Sequence, residues 1–180
     1  CACNEGYTGP GGNNCSACSI GKFKNQAGPQ ACTVCPVLKT TIQTAADSEG
    51  LCFCEPGYFA NATGNGCLQC QRGKYKSFVG NSSCFECPLF TSSVPATVNK
   101  TGCKCNPGYF GPDGHDCTIC PNATFKAENG SQSCSKCPEH ATSAQGSVSY
   151  SSCLCNPGFH GLHIGTQTCT SCPIGSFKAY

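Results

Sequence analysis

Large apolar side chains are scarce in this 180-residue sequence, which contains no Trp and no Met. Leu, Ile, Val and Phe account for 27 of the 180 residues, or 15%. A chain so poor in large apolar groups buries too little surface to offset the conformational entropy lost on folding. A conventional hydrophobic core is therefore excluded. We expect covalent cross-links to hold the fold together, as in other small domains without a sufficient core.

Long apolar stretches and clusters of charge are also missing. No apolar stretch approaches the roughly 18 residues of a membrane-spanning helix. The net charge is +2, charged residues make up 11% of the chain, and the lysines are scattered. Neither nucleic acid nor an anionic membrane surface is therefore indicated as a partner. The sequence shows no signal peptide and no initiator Met, so we expect it to be a window of a longer chain.

Cysteine, by contrast, is abundant. The 22 cysteines are about 12% of the chain, above the roughly 8–10% that indicates a disulfide scaffold. A C-x-C pair recurs at intervals of 51, 51 and 50 residues, at Cys1/Cys3, Cys52/Cys54, Cys103/Cys105 and Cys153/Cys155. This period predicts tandem repeats. Repeat 1 covers residues 1–51 and starts within a module, repeat 2 covers 52–102, repeat 3 covers 103–152, and a partial repeat 4 covers 153–180.

Each repeat carries the same ordered motif. After the C-x-C pair come G-Y or G-F, a C-x-x-C pair, an aromatic residue followed by Lys, and a second C-x-x-C followed by Pro. The N-P-G and E-P-G triplets favour turns, because Pro pre-sets φ and Gly supplies positive φ. No segment has sustained helical periodicity. The predicted fold is therefore small and disulfide-rich, with short β-hairpins, little helix, and repeated aromatic residues that pack on the disulfides.

Two C-x-x-C pairs about 13 residues apart also have the spacing of a zinc ribbon. This alternative leaves the C-x-C pairs unexplained and belongs to reducing compartments. His160 and His163 lie close together, but no cysteine is expected to be available as a third ligand. Disulfides are therefore the favoured interpretation of the cysteines, and no metal site is predicted.

The order C-x-x-C, aromatic-Lys, C-x-x-C-P, C-x-C-x-x-G-Y resembles the ephrin-receptor-like cysteine-rich repeat, a relative of EGF modules. The resemblance is best seen from Cys117 to Cys169, in CTICPNATFK, CSKCPEH and CLCNPGF, and it covers the whole chain. Ala123 departs from the pattern, since the other copies have Gly there. Asp113 and Asp116 flank a turn and could hold calcium, but the acidic residues that calcium-binding EGF modules carry before their first cysteine are missing.

The resemblance also implies a disulfide pairing. In EGF modules the first cysteine pairs with the third, the second with the fourth and the fifth with the sixth. Carried over, this pairing gives Cys3–Cys15, Cys18–Cys35, Cys32–Cys52, Cys54–Cys67, Cys70–Cys87, Cys84–Cys103, Cys105–Cys117, Cys120–Cys137, Cys134–Cys153 and Cys155–Cys169. Sequence alone does not determine connectivity. Cys1 and Cys172 are left over, and we expect their partners outside this window.

Asn-x-Ser/Thr sequons are frequent. The chain has six, where random placement would give about two. Asn14 is a poor candidate because its middle residue is Cys15. The predicted N-glycosylation sites are Asn61, Asn81, Asn99, Asn122 and Asn129. Sequons of this kind mark exposed loops of secreted proteins, so an extracellular or cell-surface location is expected.

The sequence contains no nucleophile elbow and no phosphate loop, so we expect a non-enzymatic protein without a cofactor. The first functional hypothesis is structural. Tandem modules that touch mainly their neighbours would form an extended rod within a stalk, a filament or a large surface protein. Its partners would be other copies of the array, other extracellular proteins and N-linked glycans.

The alternative hypothesis is the ligand-binding or adhesion ectodomain of a cell-surface receptor, because one scaffold can serve either function. Divergence between copies should separate the two hypotheses, since a ligand site would give one copy a distinctive apolar or charged loop. The loops at Thr40–Gly50, Thr91–Gly102 and Ala141–Ser152 are rich in Ser, Thr and Gly. Their similarity favours the structural hypothesis.

Overall fold

The structure, a computed structural model, describes residues 1–10, 14–161 and 168–177. Within these residues it contains twenty strands of two or three residues and three 3₁₀ helices. The strands are β1 (Tyr7–Thr8), β2 (Ser16–Ala17), β3 (Lys22–Phe23), β4 (Thr33–Val34), β5 (Lys39–Thr40), β6 (Phe53–Cys54), β7 (Tyr58–Ala60), β8 (Cys67–Gln69), β9 (Lys74–Tyr75), β10 (Phe85–Glu86), β11 (Thr91–Ser92), β12 (Lys104–Cys105), β13 (Tyr109–Phe110), β14 (Thr118–Ile119), β15 (Thr124–Phe125), β16 (Ser135–Lys136), β17 (Ala141–Thr142), β18 (Leu154–Cys155), β19 (Phe159–His160) and β20 (Thr170–Ser171). The 3₁₀ helices are Glu49–Leu51, Lys100–Gly102 and Tyr150–Ser152.

Successive strands pair in antiparallel hairpins, which form ten separate two-stranded sheets in the described chain. Three kinds of hairpin recur. The first links the G-Y segment to the first C-x-x-C pair, as in β7–β8, and the second carries the aromatic-Lys motif, as in β9–β10. The third joins the end of one repeat to the C-x-C pair of the next, as in β11–β12. The predicted disulfide-rich fold of tandem short hairpins with little helix is confirmed.

Ten disulfides brace the described residues, and each joins two cysteines that are consecutive among the cysteines of the sequence. The bridges are Cys3–Cys15, Cys18–Cys32, Cys35–Cys52, Cys54–Cys67, Cys70–Cys84, Cys87–Cys103, Cys105–Cys117, Cys120–Cys134, Cys137–Cys153 and Cys155–Cys169. The linked residues lie 12 to 17 positions apart. Cys1 and Cys172 have no disulfide partner within the described chain.

This pairing corrects six of the bridges that the EGF arrangement implied. The bridges that are wrong are Cys18–Cys35, Cys32–Cys52, Cys70–Cys87, Cys84–Cys103, Cys120–Cys137 and Cys134–Cys153. The implied bridges Cys3–Cys15, Cys54–Cys67, Cys105–Cys117 and Cys155–Cys169 are present. The loops of each repeat therefore follow one another without interleaving.

The geometry of the second hairpin explains why the EGF-like disulfide pairing is wrong. Cys84 and Cys87 flank the two-residue strand β10. Successive side chains of a strand leave its opposite faces, so cysteines three positions apart leave opposite sides of the hairpin. Cys84 meets Cys70 from the preceding hairpin, and Cys87 meets Cys103 at the start of the next repeat. An interleaved pairing would require both side chains to cross the strand.

Half-cystines take the place of a conventional core. Apart from Phe23 and Ala46, every fully buried apolar residue of the described chain is a half-cystine. Phe23 and Ala46 pack with Cys35 and Cys52. In the chain-entropy treatment, closing a loop of about 15 residues contributes roughly 3 kcal/mol. Ten such loops are the main source of stability that the fold offers.

A glycine determines how closely the parts of each repeat approach. In repeat 2 the N–H of Gly57 donates to the carbonyl of Lys76 at 2.8 Å, and the N–H of Lys76 donates to the carbonyl of Thr97 at 3.1 Å. Gly57 has a φ of +83°, and a Cβ at this position would lie 2.6 Å from the carbonyl oxygen of Ala96. The Gly of the G-Y pair is therefore required both for its backbone conformation and for its lack of a side chain.

The chain divides into two compact units. The first comprises Cys1–Glu86 with Val94–Lys100, and the second comprises Cys87–Ser93 with Thr101–Tyr180. Each unit is built from the same hairpins and disulfides. Among the described residues, no helix has the length and apolar character needed to cross a membrane.

Candidate interaction surface

The Lys of the aromatic-Lys motif is buried in all three full copies. Lys24, Lys76 and Lys126 expose 4%, 0% and 5% of their surface, respectively. The Nζ of Lys76 donates to the carbonyl oxygens of Tyr58 at 2.8 Å and Gly80 at 2.6 Å. It therefore joins the first hairpin of the repeat to the loop of the second. The buried ammonium group thus holds these segments together by hydrogen bonds, in a chain that has few large apolar side chains to pack.

Lys24 acts in the same way, whereas Lys126 bonds within its own loop. Lys24 donates to the carbonyl of Tyr7 at 2.7 Å and to that of Gly28 at 2.6 Å. Lys126 donates to the carbonyl of Glu128 at 2.6 Å. A buried ammonium group is tolerated only where such acceptors surround it.

Burial lowers the pKa of two of these lysines. Desolvation lowers the pKa of Lys76 below the ordinary value for Lys. Desolvation also lowers the pKa of Lys126, against the opposing effect of the negative charges on Asp113 and Glu128. Both pKa values are lowered because removing a positive charge from water costs free energy, which favours the neutral amine.

The repeated aromatic residues only partly follow the packing that the sequence suggested. Phe23 packs on half-cystines, as expected. Tyr109, however, stacks on Phe90, with ring centroids 4.5 Å apart, and Phe159 stacks on His140 at 4.0 Å. Phe90 and His140 have φ values of 60° and 62°. This strained backbone directs their rings onto the following repeat.

Repeat 2 carries an aromatic cluster on its second hairpin. The ring of Phe85 lies 5.7 Å from the ring of Tyr75 and 5.9 Å from the ring of Phe78, measured between centroids. The Nζ of Lys76 lies 5.0 Å from the Phe78 centroid, within cation–π range. Phe78 and Phe85 are 41% and 50% exposed. The cluster therefore presents aromatic surface to solvent.

Repeat 2 exposes more large apolar side chains than repeat 3, while repeat 1 exposes Tyr7, Ile20, Val34, Val37 and Ile42. Repeats 2 and 3 are both fully described, so they can be compared position by position. Seven large apolar residues of repeat 2 are exposed, namely Leu68, Phe78, Phe85, Leu89, Phe90, Val94 and Val98. Repeat 3 exposes only Ile119 and Val148. At most of the repeat 2 positions, repeat 3 has a polar or small residue.

All five predicted glycosylation sites lie outside the strands. The exposed sites are Asn81, Asn99, Asn122 and Asn129, and Asn61 is half-buried. The Oδ1 of Asn61 accepts bonds from the hydroxyl of Thr63 at 3.0 Å and the N–H of Gly66 at 3.3 Å. All five positions lie outside the strands, where a glycan can be attached. Glycosylation of these sites stays a prediction.

The residues considered for metal binding have other partners. The C-x-x-C cysteines of the zinc-ribbon alternative are in disulfides wherever the structure describes them, apart from Cys172. Asp113 pairs with the Nζ of Lys104 at 2.5 Å, and Asp116 accepts the N–H of Leu89 at 2.9 Å. His163 lies outside the described residues.

Sequence reasoning missed two features. The first is the burial of the repeated Lys, for which its recurrence beside an aromatic residue in every copy was an available signal. The second is the aromatic cluster. The loops compared between the copies precede the C-x-C pairs, whereas Phe78 lies between Cys70 and Cys84 and Phe85 directly follows Cys84.

Several known proteins are similar in sequence to these repeats. Sushi, von Willebrand factor type A, EGF and pentraxin domain-containing protein 1 of Mus musculus is 29% identical over 105 residues, which are 56% of this chain and 3% of that protein. Signal peptide, CUB and EGF-like domain-containing protein 2 of Homo sapiens is 32% identical over 108 residues, 57% of this chain and 11% of that protein. Ephrin type-B receptor 2 of Coturnix japonica is 36% identical over 64 residues, 36% of this chain and 6% of that protein.

The chain thus spans between 3% and 11% of the length of these relatives. A family match recurs three times along it, over residues 6–52, 57–103 and 108–153. Each matched segment begins at or near the G-Y pair and ends at or near the next C-x-C pair, so it contains the first two kinds of hairpin and the first strand of the third. The chain therefore belongs to the tyrosine-protein kinase ephrin type A/B receptor-like family of cysteine-rich repeats.

Proposed function

We propose that this chain is a non-enzymatic binding segment of an extracellular protein, and that repeat 2 carries the surface for another extracellular protein. The names of the relatives support an extracellular setting, since one is a receptor and another is named for a signal peptide with CUB and EGF-like domains. The sequons and the disulfide density support the same setting.

The observation that carries the proposal is the difference between repeats 2 and 3. Both repeats have the same hairpins, the same order of disulfides and the same buried Lys. The scaffold therefore does not require the additional exposed apolar residues of repeat 2. Exposed apolar surface that a scaffold does not require commonly marks an interaction site on a soluble protein. Repeat 2 differs from repeat 3 in the way that a ligand site would produce, and two of its exposed residues, Val94 and Val98, lie in the Thr91–Gly102 loop.

Repeat 3 supplies the substitutions that test the proposal. Leu89→Glu and Leu68→Thr, made separately, give repeat 2 the residues that repeat 3 has at Glu139 and Thr118. Wild type and variants would be passed over an arrayed panel of purified ectodomains and secreted proteins. We expect at least one member to bind wild type and to lose at least tenfold in affinity with one of the variants.

The control is the reverse substitution, Glu139→Leu, which adds an apolar residue to repeat 3 and should leave the affinity unchanged. Binding that both repeat 2 variants retain would contradict the proposal. A panel in which nothing binds wild type would favour the second candidate function.

The second candidate is a structural stalk or filament segment. It is supported by the identical bracing of repeats 1, 2 and 3, in which each third hairpin joins a repeat to the next. Negative-stain microscopy of the native full-length protein distinguishes the two candidates, because a filament protein forms polymers and a receptor ectodomain appears as single particles.

A further inference from the structure

A sequon lies inside the aromatic cluster of repeat 2. The sequence Phe78-Val79-Gly80-Asn81-Ser82-Ser83-Cys84-Phe85 begins and ends with the two exposed rings, whose centroids are 5.9 Å apart. The ring of Phe78 packs beside Gly80, since a Cβ on that glycine would lie 3.4 Å from Cε2 of the ring. Asn81 therefore directly follows Gly80, the residue that the Phe78 ring contacts.

The rings and the sequon occur together in only one of the three full copies. Repeat 1 has Gln26, Pro29 and Thr33 at the positions of Phe78, Asn81 and Phe85. Repeat 3 has Glu128, Ser131 and Ser135. The only copy with two exposed aromatic side chains in this loop is also the only one with Asn at the central position. This coincidence indicates that the two rings and the Asn side chain belong to one site.

The Asn81 side chain is anchored by hydrogen bonds. Its Oδ1 accepts the N–H of Cys54 at 3.3 Å, and its carbonyl accepts the N–H of Ala60 at 3.2 Å. The amide oxygen is thus held by the body of the repeat. Attachment of a sugar replaces one hydrogen of Nδ2 and leaves Oδ1 as an acceptor, so the bond to Cys54 persists in the glycosylated protein.

We infer that the N-glycan of Asn81 packs its first N-acetylglucosamine ring against Phe78 and Phe85 and covers the aromatic cluster of repeat 2. In the attachment step, the C1–O bond between the sugar and its diphosphate carrier breaks, a C1–Nδ2 bond forms, and the amide proton is released. One face of a pyranose ring consists of C–H groups, which pack on the electron-rich face of an aromatic ring. This contact removes exposed ring surface from water.

A neighbouring groove can take the polar edge of the sugar. It is open, has a volume of about 160 Å³, and is lined by Phe59, Gln71, Lys74, Ser83 and Cys84. Ser83 is the hydroxyl residue of the sequon itself. An aromatic ring beside amide, hydroxyl and ammonium groups is the combination that binds the mixed apolar and polar surface of a sugar.

The test uses the full chain secreted from a glycosylating host. Repeat 3 supplies a matched control, because Asn129 is a sequon in the equivalent loop, where Glu128 and Ser135 replace the two phenylalanines. NMR of the protein with isotopically labelled sugar would compare the first sugar residue at Asn81 and at Asn129. We expect upfield ring-current shifts at Asn81 that Asn129 does not show and that Phe78→Ala abolishes.

A second measurement is the amide exchange of the β9–β10 hairpin in four forms: wild type, Ser83→Ala, which abolishes the sequon and keeps the Asn81 side chain, Phe78→Ala and the double variant. Loss of the glycan should accelerate exchange on the order of fivefold where Phe78 is present, the effect of one aromatic contact, and by almost nothing in Phe78→Ala. Phe78→Leu, which keeps apolar volume without a ring, guards against misfolding of the Ala variant.

Three results would overturn the inference: an unmodified Asn81 in the secreted protein, sugar shifts equal at the two sites, or a glycan effect on exchange that Phe78→Ala leaves intact. Neither measurement involves a binding partner, and the partner test uses Leu68 and Leu89. Failure of the inference is therefore distinct from failure of the proposed function.

Discussion

The buried Lys of each repeat should be a principal source of stability besides the disulfides, and Lys76→Met tests this directly. Met keeps the volume and the unbranched stem but removes the Nζ that bonds to the carbonyls of Tyr58 and Gly80 at 2.8 and 2.6 Å. Hydrogen bonds to charged groups contribute about 1.5–3 kcal/mol each, and both acceptors would lose their donor. The substitution also relieves the desolvation of the ammonium group, which offsets part of the loss. We expect a net destabilisation of about 2–4 kcal/mol.

The effect should be local, because each module contacts mainly its neighbours and opens largely on its own. Native-state amide exchange with the disulfides intact is therefore the appropriate assay. The amides of the β7–β8 and β9–β10 hairpins should exchange at least about 30-fold faster in the variant, at 1.36 kcal/mol per factor of ten.

Lys100→Met is the matched control in the same repeat, since Lys100 is exposed and surface substitutions usually change stability by less than about 0.5 kcal/mol. If Lys76→Met exchanged no faster than Lys100→Met, the assigned role of the buried ammonium would be incorrect.

Three further predictions follow from the same structure. Reduction should unfold the chain at room temperature, because its buried apolar residues are almost all half-cystines; a cooperative melt that persists in reductant, followed by circular dichroism, would contradict this. NMR titration should give Lys76 a pKa below its usual 10.5. Since the unfolded chain then binds more protons than the native one between the lowered pKa and 10.5, stability should rise with pH across that window, provided that the thiols of Cys1 and Cys172 are first blocked. A midpoint at or above 10.5 would refute the burial argument. Mass analysis of the secreted protein should find glycans at the predicted sites, and unshifted masses at three or more of them would refute secretion through a glycosylating pathway. The sites are Asn61, Asn81, Asn99, Asn122 and Asn129.

The repeat, the hairpins and the shortage of helix could be predicted because they depend on local patterns. The spacing of the C-x-C pairs sets the period, and the Pro-Gly pairs such as Pro56-Gly57 and Pro107-Gly108 set the turns. The shortness of the strands follows from the same spacing, since a cysteine or a turn residue ends each extended segment after two or three positions. These features need no knowledge of which residues meet in space.

The disulfide pairing could not be predicted in the same way. Which of Cys84 and Cys87 faces Cys70 depends on the faces of β10, and therefore on the register Tyr75↔Phe85. A comparison of spacing with EGF modules carries no information about that register. The three-residue step between the two cysteines places them on opposite sides of the hairpin, and only the register decides which of the two faces Cys70.

The exposed aromatic cluster of repeat 2 was missed for another reason. Phe78 and Phe85 are seven positions apart, and each could be read as one more buried aromatic residue in a chain that has few. The β9–β10 hairpin, in which Phe85 lies opposite Tyr75, brings the rings of Phe78 and Phe85 within 5.9 Å of each other and leaves them exposed. Burial is decided by the three-dimensional path of the loop, which the sequence of one copy does not reveal.

The central claim is that each repeat is braced by consecutive disulfides, and tryptic mapping of the unreduced, denatured 180-residue chain with Cys1 and Cys172 alkylated tests it most directly. Cleavage after Lys104, Lys126 and Lys136 yields the peptides 105–126, 127–136 and 137–178. Consecutive pairing predicts that 105–126 and 127–136 are joined by Cys120–Cys134, while 137–178 is released alone with its two bridges internal. Recovery of all three peptides as one linked species would show the interleaved pairing and contradict the account.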